Sequence, residues 1–187
     1  MLAAHCVWVT DEDIELLARR GVTVLHNPIS NLKLASGIAQ VEKLRKKGIR
    51  VAIGTDSAAS NNALDMLEEM RAAALTAKGV SLDPCALSAP EALSMATREG
   101  ALSQGRADCG DIKVGFRADI VALRMDTIAM TPAHSPLSNL LYAAGRGNVA
   151  MTMVDGRILY RDGAFSTIDI ERVRYEAGKR ALDIARR

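Results

Sequence analysis

Three residues in the first third of the chain could carry chemistry. His5, His26 and Asp56 each fall at or just past the end of a short apolar run. An aspartate leaving a buried strand, as in Gly54-Thr55-Asp56-Ser57, can ligate a divalent cation. Next to a metal-bound water it can also pass a proton. The same place equally suits an aspartate that caps the following turn or helix. His5 can orient or stabilise a metal-bound hydroxide, or it can be a core histidine bonded to a backbone carbonyl. His26, in His26-Asn27-Pro28-x-Ser30-Asn31, can position a substrate or a water. Alternatively the motif is turn architecture, with Asn and Ser bonding local backbone and Pro28 fixing the bend. Spacing alone leaves each pair of readings open. His134, in a loop between Pro132 and Pro136, reads as a surface or hinge residue.

The elements that must position these side chains alternate. Leu2 to Val9 reads as a strand, with Thr10 as the N-cap of a helix carrying Ile14 and Leu17 on one face and closed by Gly21. Val22 to Leu25 is a second strand, followed by a loop holding Ser30, Asn31, Ser36 and Gly37. A helix from about Ile38 to Lys47 leads to a third strand, Ile49 to Ile53. A polar loop, Ser57 to Asn62, leads into a helix of about Leu64 to Lys78 with Leu67, Met70, Ala74 and Ala77 on one side. Short apolar strands separated by helices imply a parallel sheet with helices on its faces. In such α/β folds the C-terminal rim of the strands carries the site, because strand twist makes those ends converge.

Ser88 and Glu91 form a capping box, with Pro90 in the first turn, for a helix to about Thr97. Beyond Gly110 the texture becomes antiparallel β. Asp119 to Leu123 is a strand, and Ala150 to Val154 and Arg157 to Tyr160 flank the hairpin signal Asp155-Gly156. Asp162-Gly163 is a second turn. Residues 170 to 187 read as a polar amphipathic helix. The organisation expected is therefore 1–109 as an α/β unit, 110–169 as a small β unit with its connecting segment, and 170–187 as a terminal helix.

Composition narrows the function classes. Of 187 residues, 49% are hydrophobic and 25% charged, the net charge is +2, and only 3% are aromatic, which argues against a nucleic-acid surface. The run of Lys43, Arg45, Lys46 and Lys47 sits at a helix end, where cations are favoured. Three separated cysteines without a CxxC pair imply neither a disulfide framework nor a zinc knuckle, and a reducing, cytoplasmic setting is expected. The apolar start is too short for a membrane span and has no basic leader, so a buried strand is expected. Gly145-Arg146-Gly147 is too short for a dinucleotide loop, and no GxSxG elbow occurs.

Five stretches stand in one order and register: Ala4-His5-Cys6-Val7, His26-Asn27-Pro28-x-Ser30-Asn31, Lys33-Leu34-Ala35-Ser36-Gly37, Gly54-Thr55-Asp56 and Ala58-Ala59-Ser60-Asn61-Asn62. Together they resemble the amidohydrolase superfamily, in particular its branch of 5-methylthioadenosine/S-adenosylhomocysteine deaminases, with triazine hydrolases close by. The stretch from Gly110-Asp111-Ile112 to Ala118-Asp119-Ile120-Val121 resembles that family's return into its small β-domain. Asn139-Leu140-Leu141-Tyr142-Ala143-Ala144 and Val154-Asp155-Gly156-Arg157 continue the likeness.

The resemblance implies a partial TIM (β/α)8 barrel, its last three βα units, plus part of a β-sandwich. It implies Asp56 as a metal ligand that also shuttles protons, and His5 as the histidine touching the metal-bound water and the departing group. His26, Asn27 and Ser30 would shape the pocket. The implied cofactor is a divalent metal, zinc. The implied reaction is attack of metal-bound hydroxide on the amino-bearing carbon of an adenine ring, with loss of ammonia.

Departures from the family pattern matter as much. The chain has three histidines and no HxH pair. The strand-five histidine and its neighbouring glutamate are absent as well, and Gln40 and Ser57 stand where Pro and Gly are common. Catalytic zinc sites use about three protein ligands plus water, and a full barrel takes roughly 250 residues. The chain is thus expected to be the C-terminal portion of a deaminase, inactive alone. The alternatives are an assembly module that completes a barrel with a partner or its own copy, and a parent that hydrolyses s-triazines or other aminopurines.

Overall fold

The computed structural model describes residues 1–185. The chain divides into two compact units, residues 1–116 with 125–148, and residues from 117 to 124 with those from 149 onward. Divisions at 109/110 and 169/170 were expected from sequence. The observed boundaries differ, because residues 125–148 return to the first unit and the terminal helix is grouped with the second.

In the first unit the order is β1 (Leu2–Ala4), α1 (Asp11–Arg19), β2 (Thr23–His26), α2 (Pro28–Lys33), α3 (Val41–Lys46), β3 (Val51–Ile53), α4 (Ala58–Asn61), α5 (Met66–Ser81), α6 (Ala89–Ala96) and α7 (Arg98–Ser103). After residue 125 come a 3₁₀ turn (Ile128–Met130), α8 (Pro136–Tyr142) and a second 3₁₀ turn (Arg146–Asn148). The strands form one sheet in the order β1-β2-β3 with parallel pairing throughout. Leu2 lies opposite Thr23, Val24 opposite Val51, and His26 opposite Ile53. This is the α/β arrangement the apolar runs implied.

Local chemistry sets the element ends. The Thr10 side chain accepts from the Asp13 N–H at 3.2 Å while Asp13 accepts from the Thr10 N–H at 2.9 Å, so two amides that would otherwise lack partners are satisfied. Asp11, Glu12 and Asp13 fill the first turn, where the helix dipole favours negative charge. Asp65 caps α5 by accepting from the Leu67 N–H at 2.9 Å. The core gathers Ile14, Val24, Leu44, Val51, Ile53, Met70, Ala73, Leu87 and Met95. Each large side chain buried there stabilises by about 1.5–3 kcal/mol.

Several expectations are corrected. The first strand stops at Ala4, and His5 and Cys6 turn away from it with φ of +65° and +47°. His5 therefore stands beyond the strand and not within it. The stretch after His26, expected as a loop, contains α2. Pro28 lies in its first turn, where a missing N–H costs nothing and the fixed φ suits a helix. The helix expected from Ile38 begins at Val41. The helices α7 and α8 were not foreseen. Pro136 opens α8, and Ser135 caps it by accepting from the Ser138 N–H at 3.3 Å.

The second unit is antiparallel. It holds β4 (Ile120–Leu123), β5 (Val149–Val154), β6 (Arg157–Arg161) and β7 (Ala164–Phe165), paired in that order. Asp155 and Gly156 both have positive φ, +49° and +77°, the type I′ geometry that matches the twist of a tight hairpin. Tyr160 and Phe165 pack ring against ring, with centroids 5.0 Å apart. The terminal helix α9 (Ile170–Ala185) is exposed along its length. The last two residues of the helix expected there, Arg186 and Arg187, lie outside the described residues.

Candidate active site

The C-terminal ends of β1, β2 and β3 converge on one carboxylate. Asp56 leaves β3 with φ +61°, a conformation that Asp adopts more readily than most residues. Its Oδ2 accepts from the Ser30 hydroxyl at 2.6 Å and from the Ser60 hydroxyl at 2.7 Å. Ser30 comes from α2 and Ser60 from α4, so the carboxylate is gripped from two different helices. These hydroxyls, Ser30 first, together with the Ser57 N–H and the nearby His5, hold the Asp56 carboxyl below the usual carboxylate range. It is an anion at neutral pH, fixed in one orientation and partly open to solvent.

His5 stands against this carboxylate, its Nε2 3.9 Å from Asp56 Oδ2. The other ring nitrogen, Nδ1, bonds Asn31 Oδ1 at 2.8 Å. An amide oxygen can only accept, so Nδ1 donates this bond and Nε2 is the ring nitrogen that faces Asp56. The two residues are brought together as expected, but their strands are not neighbours, since β2 lies between them. The reach comes from the turn at His5 and Cys6. Burial raises the Cys6 thiol, which keeps it protonated beside the site.

His26 is placed differently from the other two. It lies opposite Ile53 and shares a face with Val24, on the side of the sheet packed against helices. It packs among Pro28, Asn31, Leu32, Gly37, Ile38 and Thr76, with no room there for a water molecule. Neither ring nitrogen has a partner, and burial, with His5 as a second cause, pushes its pKa down to about 4. Asn27 is buried over Gly54, where a Cβ would come within 3.0 Å of its Nδ2. His134 is exposed.

Sequence reasoning quoted Ser60 and Asn61 within a motif without giving either a role, and passed over Glu69. Glu69 is wholly buried. It accepts from the Ile29 N–H at 3.2 Å and from the Asn61 side-chain amide, and burial raises its pKa. A signal was present, because Glu69 falls among Met66, Met70 and Ala73 on the apolar stripe of α5, where a lone carboxylate needs a reason.

One carboxylate and one imidazole do not by themselves make a catalytic zinc site, which takes about three protein ligands plus water. Among the described residues, no group of three or more His, Cys, Asp or Glu side chains could hold a metal ion. This donor set fits a metal only in part. What the rim offers on its own is an oriented anion beside an oriented imidazole, a pair suited to holding and passing a proton.

The strand ends of this α/β unit thus bring a carboxylate and an imidazole together at one rim. The amidohydrolase family model matches residues 1–159, and the chain belongs to that family. It is 46% identical over its whole length to the 5-methylthioadenosine/S-adenosylhomocysteine deaminase of Dictyoglomus thermophilum, of which it covers 44%. It is also 46% identical to the 5'-deoxyadenosine deaminase of Methanosarcina mazei, covering 43% of that protein. Among solved structures, an adenosine deaminase from Xanthomonas campestris with bound zinc superposes at TM-score 0.96 with 39% identity, over 100% of this chain and 43% of that one. The zinc complex of atrazine chlorohydrolase from Arthrobacter aurescens superposes at 0.89 with 30% identity, over 95% and 40%. The chain thus spans less than half the length of the proteins it resembles.

Proposed function

We propose that these residues form the C-terminal portion of a metal-dependent amidohydrolase that hydrolytically deaminates an adenosine-type nucleoside altered at its 5' position. The carrying observation is the Asp56 carboxylate, fixed by Ser30 and Ser60 with the His5 Nε2 at 3.9 Å. It occurs in a chain 46% identical to proteins named as such deaminases. In this reading Asp56 is one ligand of a divalent metal, zinc, that the complete enzyme holds with ligands from outside these 187 residues. When bound, that ion would activate the hydrolytic water. Asp56 and His5 hold and pass protons on the substrate side, while Ser30 and Asn31 fix their orientation and Asn27 and His26 buttress the β2 end. The deaminase reading is preferred to a triazine hydrolase parent because identity falls from 46% to 30% between those relatives.

The finer fold follows from the same reading, with β1, β2 and β3 as the last three strands of a (β/α)8 barrel and the antiparallel unit as part of a small β-sandwich. The uncovered face of the sheet supports it. On the side opposite the helix-packed Val24 and Val51, Leu2 and Ala4 are exposed and Leu25 is half-buried, whereas Thr23 and Ala52 are buried, so the uncovered part of that face lies along β1. Further strands of the same barrel would bury that face. The same uncovered face favours a second reading, in which the chain assembles with a complementary half or a second copy.

Ammonia release from 5'-methylthioadenosine tests the activity. The complete zinc-loaded protein should turn over, Asp56→Asn should abolish turnover, and the 187-residue chain alone should be inactive. Robust turnover by the chain alone, or by the Asp56→Asn protein, overturns the proposal. A monomeric solution mass for the isolated chain overturns the assembly reading.

A further inference from the structure

We propose that Glu69 is a positioning residue that sets the two hydroxyls gripping Asp56. The inference rests on Asp56 being the site carboxylate. Glu69 lies in the first turn of α5, wholly buried, and its two oxygens reach both helices that hold Asp56. One accepts from the Ile29 N–H at 3.2 Å, the amide immediately before Ser30. The other accepts from the Asn61 side-chain amide, immediately after Ser60.

Asn61 carries the connection further. Its Nδ2 also donates to the Thr55 carbonyl at 2.8 Å, and its Oδ1 accepts from the Leu64 N–H at 2.9 Å. The Thr55 carbonyl, immediately before Asp56, is thereby tied through Asn61 to the same buried carboxylate. A carboxylate meets this demand because both of its oxygens accept. Glutamine offers one acceptor and one donor, so one of the two N–H groups would face another donor. The loss would be transmitted to the Ser30 or the Ser60 hydroxyl, each less than 3 Å from Asp56 Oδ2.

A purely structural glutamate would lower stability and leave the pair of hydroxyls independent of it. A positioning glutamate couples to them. In the complete enzyme, Glu69→Gln should lower kcat about tenfold, the weight of one lost hydrogen bond, while KM stays within about threefold. Ser30→Ala should then cost far less in the Glu69→Gln background than in the native one. Should the Glu69→Gln protein fail to fold, hydrogen exchange of the unaltered protein decides, because the Ile29 amide must be protected if Glu69 accepts from it. An unprotected Ile29 amide overturns the proposal, as do independent, multiplicative effects of the two substitutions or a lower melting temperature at unchanged kcat. If the unaltered enzyme deaminates no adenosine-type substrate, the functional reading fails. Ile29 exchange, together with movement of the Asp56 carboxyl carbon signal in Glu69→Gln, still decides the role of Glu69.

Discussion

Mild acid should destabilise the first unit through one side chain, His26. Its imidazole is 1% exposed with both nitrogens unpartnered, and its pKa is pushed from 6.5 to about 4. A group with a depressed folded pKa of this kind binds its proton more readily in the unfolded chain. Stability is then complete above pH 6.5 and is lost as pH falls toward 4. At 1.36 kcal/mol per unit, the loss is about 2 kcal/mol at pH 5 and about 3 kcal/mol at pH 4. Carboxylates held low, such as Asp56 and Glu91, act in a lower window, because their contribution persists until pH drops below their unfolded values. Glu69, raised by burial, works in the opposite sense, and its contribution declines as pH rises. The clean comparison is therefore with His26→Leu, which keeps every other group. With no hydrogen bond to lose, that variant should match or exceed the native stability at pH 7.5. Urea unfolding followed by circular dichroism and by the fluorescence of the single tryptophan, Trp8, at pH 7.5, 6 and 5 measures it. If the native protein and His26→Leu lose the same stability between pH 7.5 and 5, the burial argument for His26 is wrong.

Three further outcomes follow from the geometry. Ser30→Ala and Ser60→Ala should each raise the Asp56 carboxyl toward the ordinary range, Ser30→Ala more, as read by carboxyl-carbon NMR titration. Leu44→Ala, at a site with 0% exposure, should cost about 2–5 kcal/mol in chemical denaturation, and a cost below 1 kcal/mol would show that the helix–sheet core is looser than described. Gly37→Ala combines φ of +109° with a Cβ that would lie 2.9 Å from Val7 Cγ1 and 3.4 Å from Trp8 Cζ2. It should break the hydrogen bond from Trp8 Nε1 to the Ser36 carbonyl and shift tryptophan emission; an unchanged spectrum would refute the tight approach.

What the sequence made legible was whatever depends on local pattern. The parallel sheet followed from three short apolar runs separated by helical stretches, and the hairpin followed from Asp155-Gly156, because few residues accept two successive positive φ angles. The ends of elements were harder. Leu2 to Val9 is apolar throughout, and nothing in that run announces that the chain turns at His5. The turn is enforced by contacts remote in sequence, the Asn31 bond to His5 and the packing of Val7 and Trp8 over Gly37. Pro28 was read as a bend and opens a helix, since one fixed φ serves both. His26 and Glu69 exchanged weight for a related reason. A histidine in a conspicuous motif draws attention, whereas a glutamate on an apolar helical stripe looks like a flaw in the pattern until its partners are seen.

Backbone strain also concentrates at this rim. Non-glycine residues in left-handed conformations cost on the order of 1–3 kcal/mol each, and three of them, His5, Cys6 and Asp56, sit at the ends of β1 and β3. Such conformations persist only where surrounding bonds over-determine them. The bonds that do so here also hold the carboxylate–imidazole pair: Asn31 on His5, and Ser30 and Ser60 on Asp56. Folding alone gives no reason to hold a carboxylate and an imidazole 3.9 Å apart on strained backbone, since an exposed pair of this kind adds little stability. Fixing their orientation before a substrate arrives does give one, because the ordering is then complete before the proton must move.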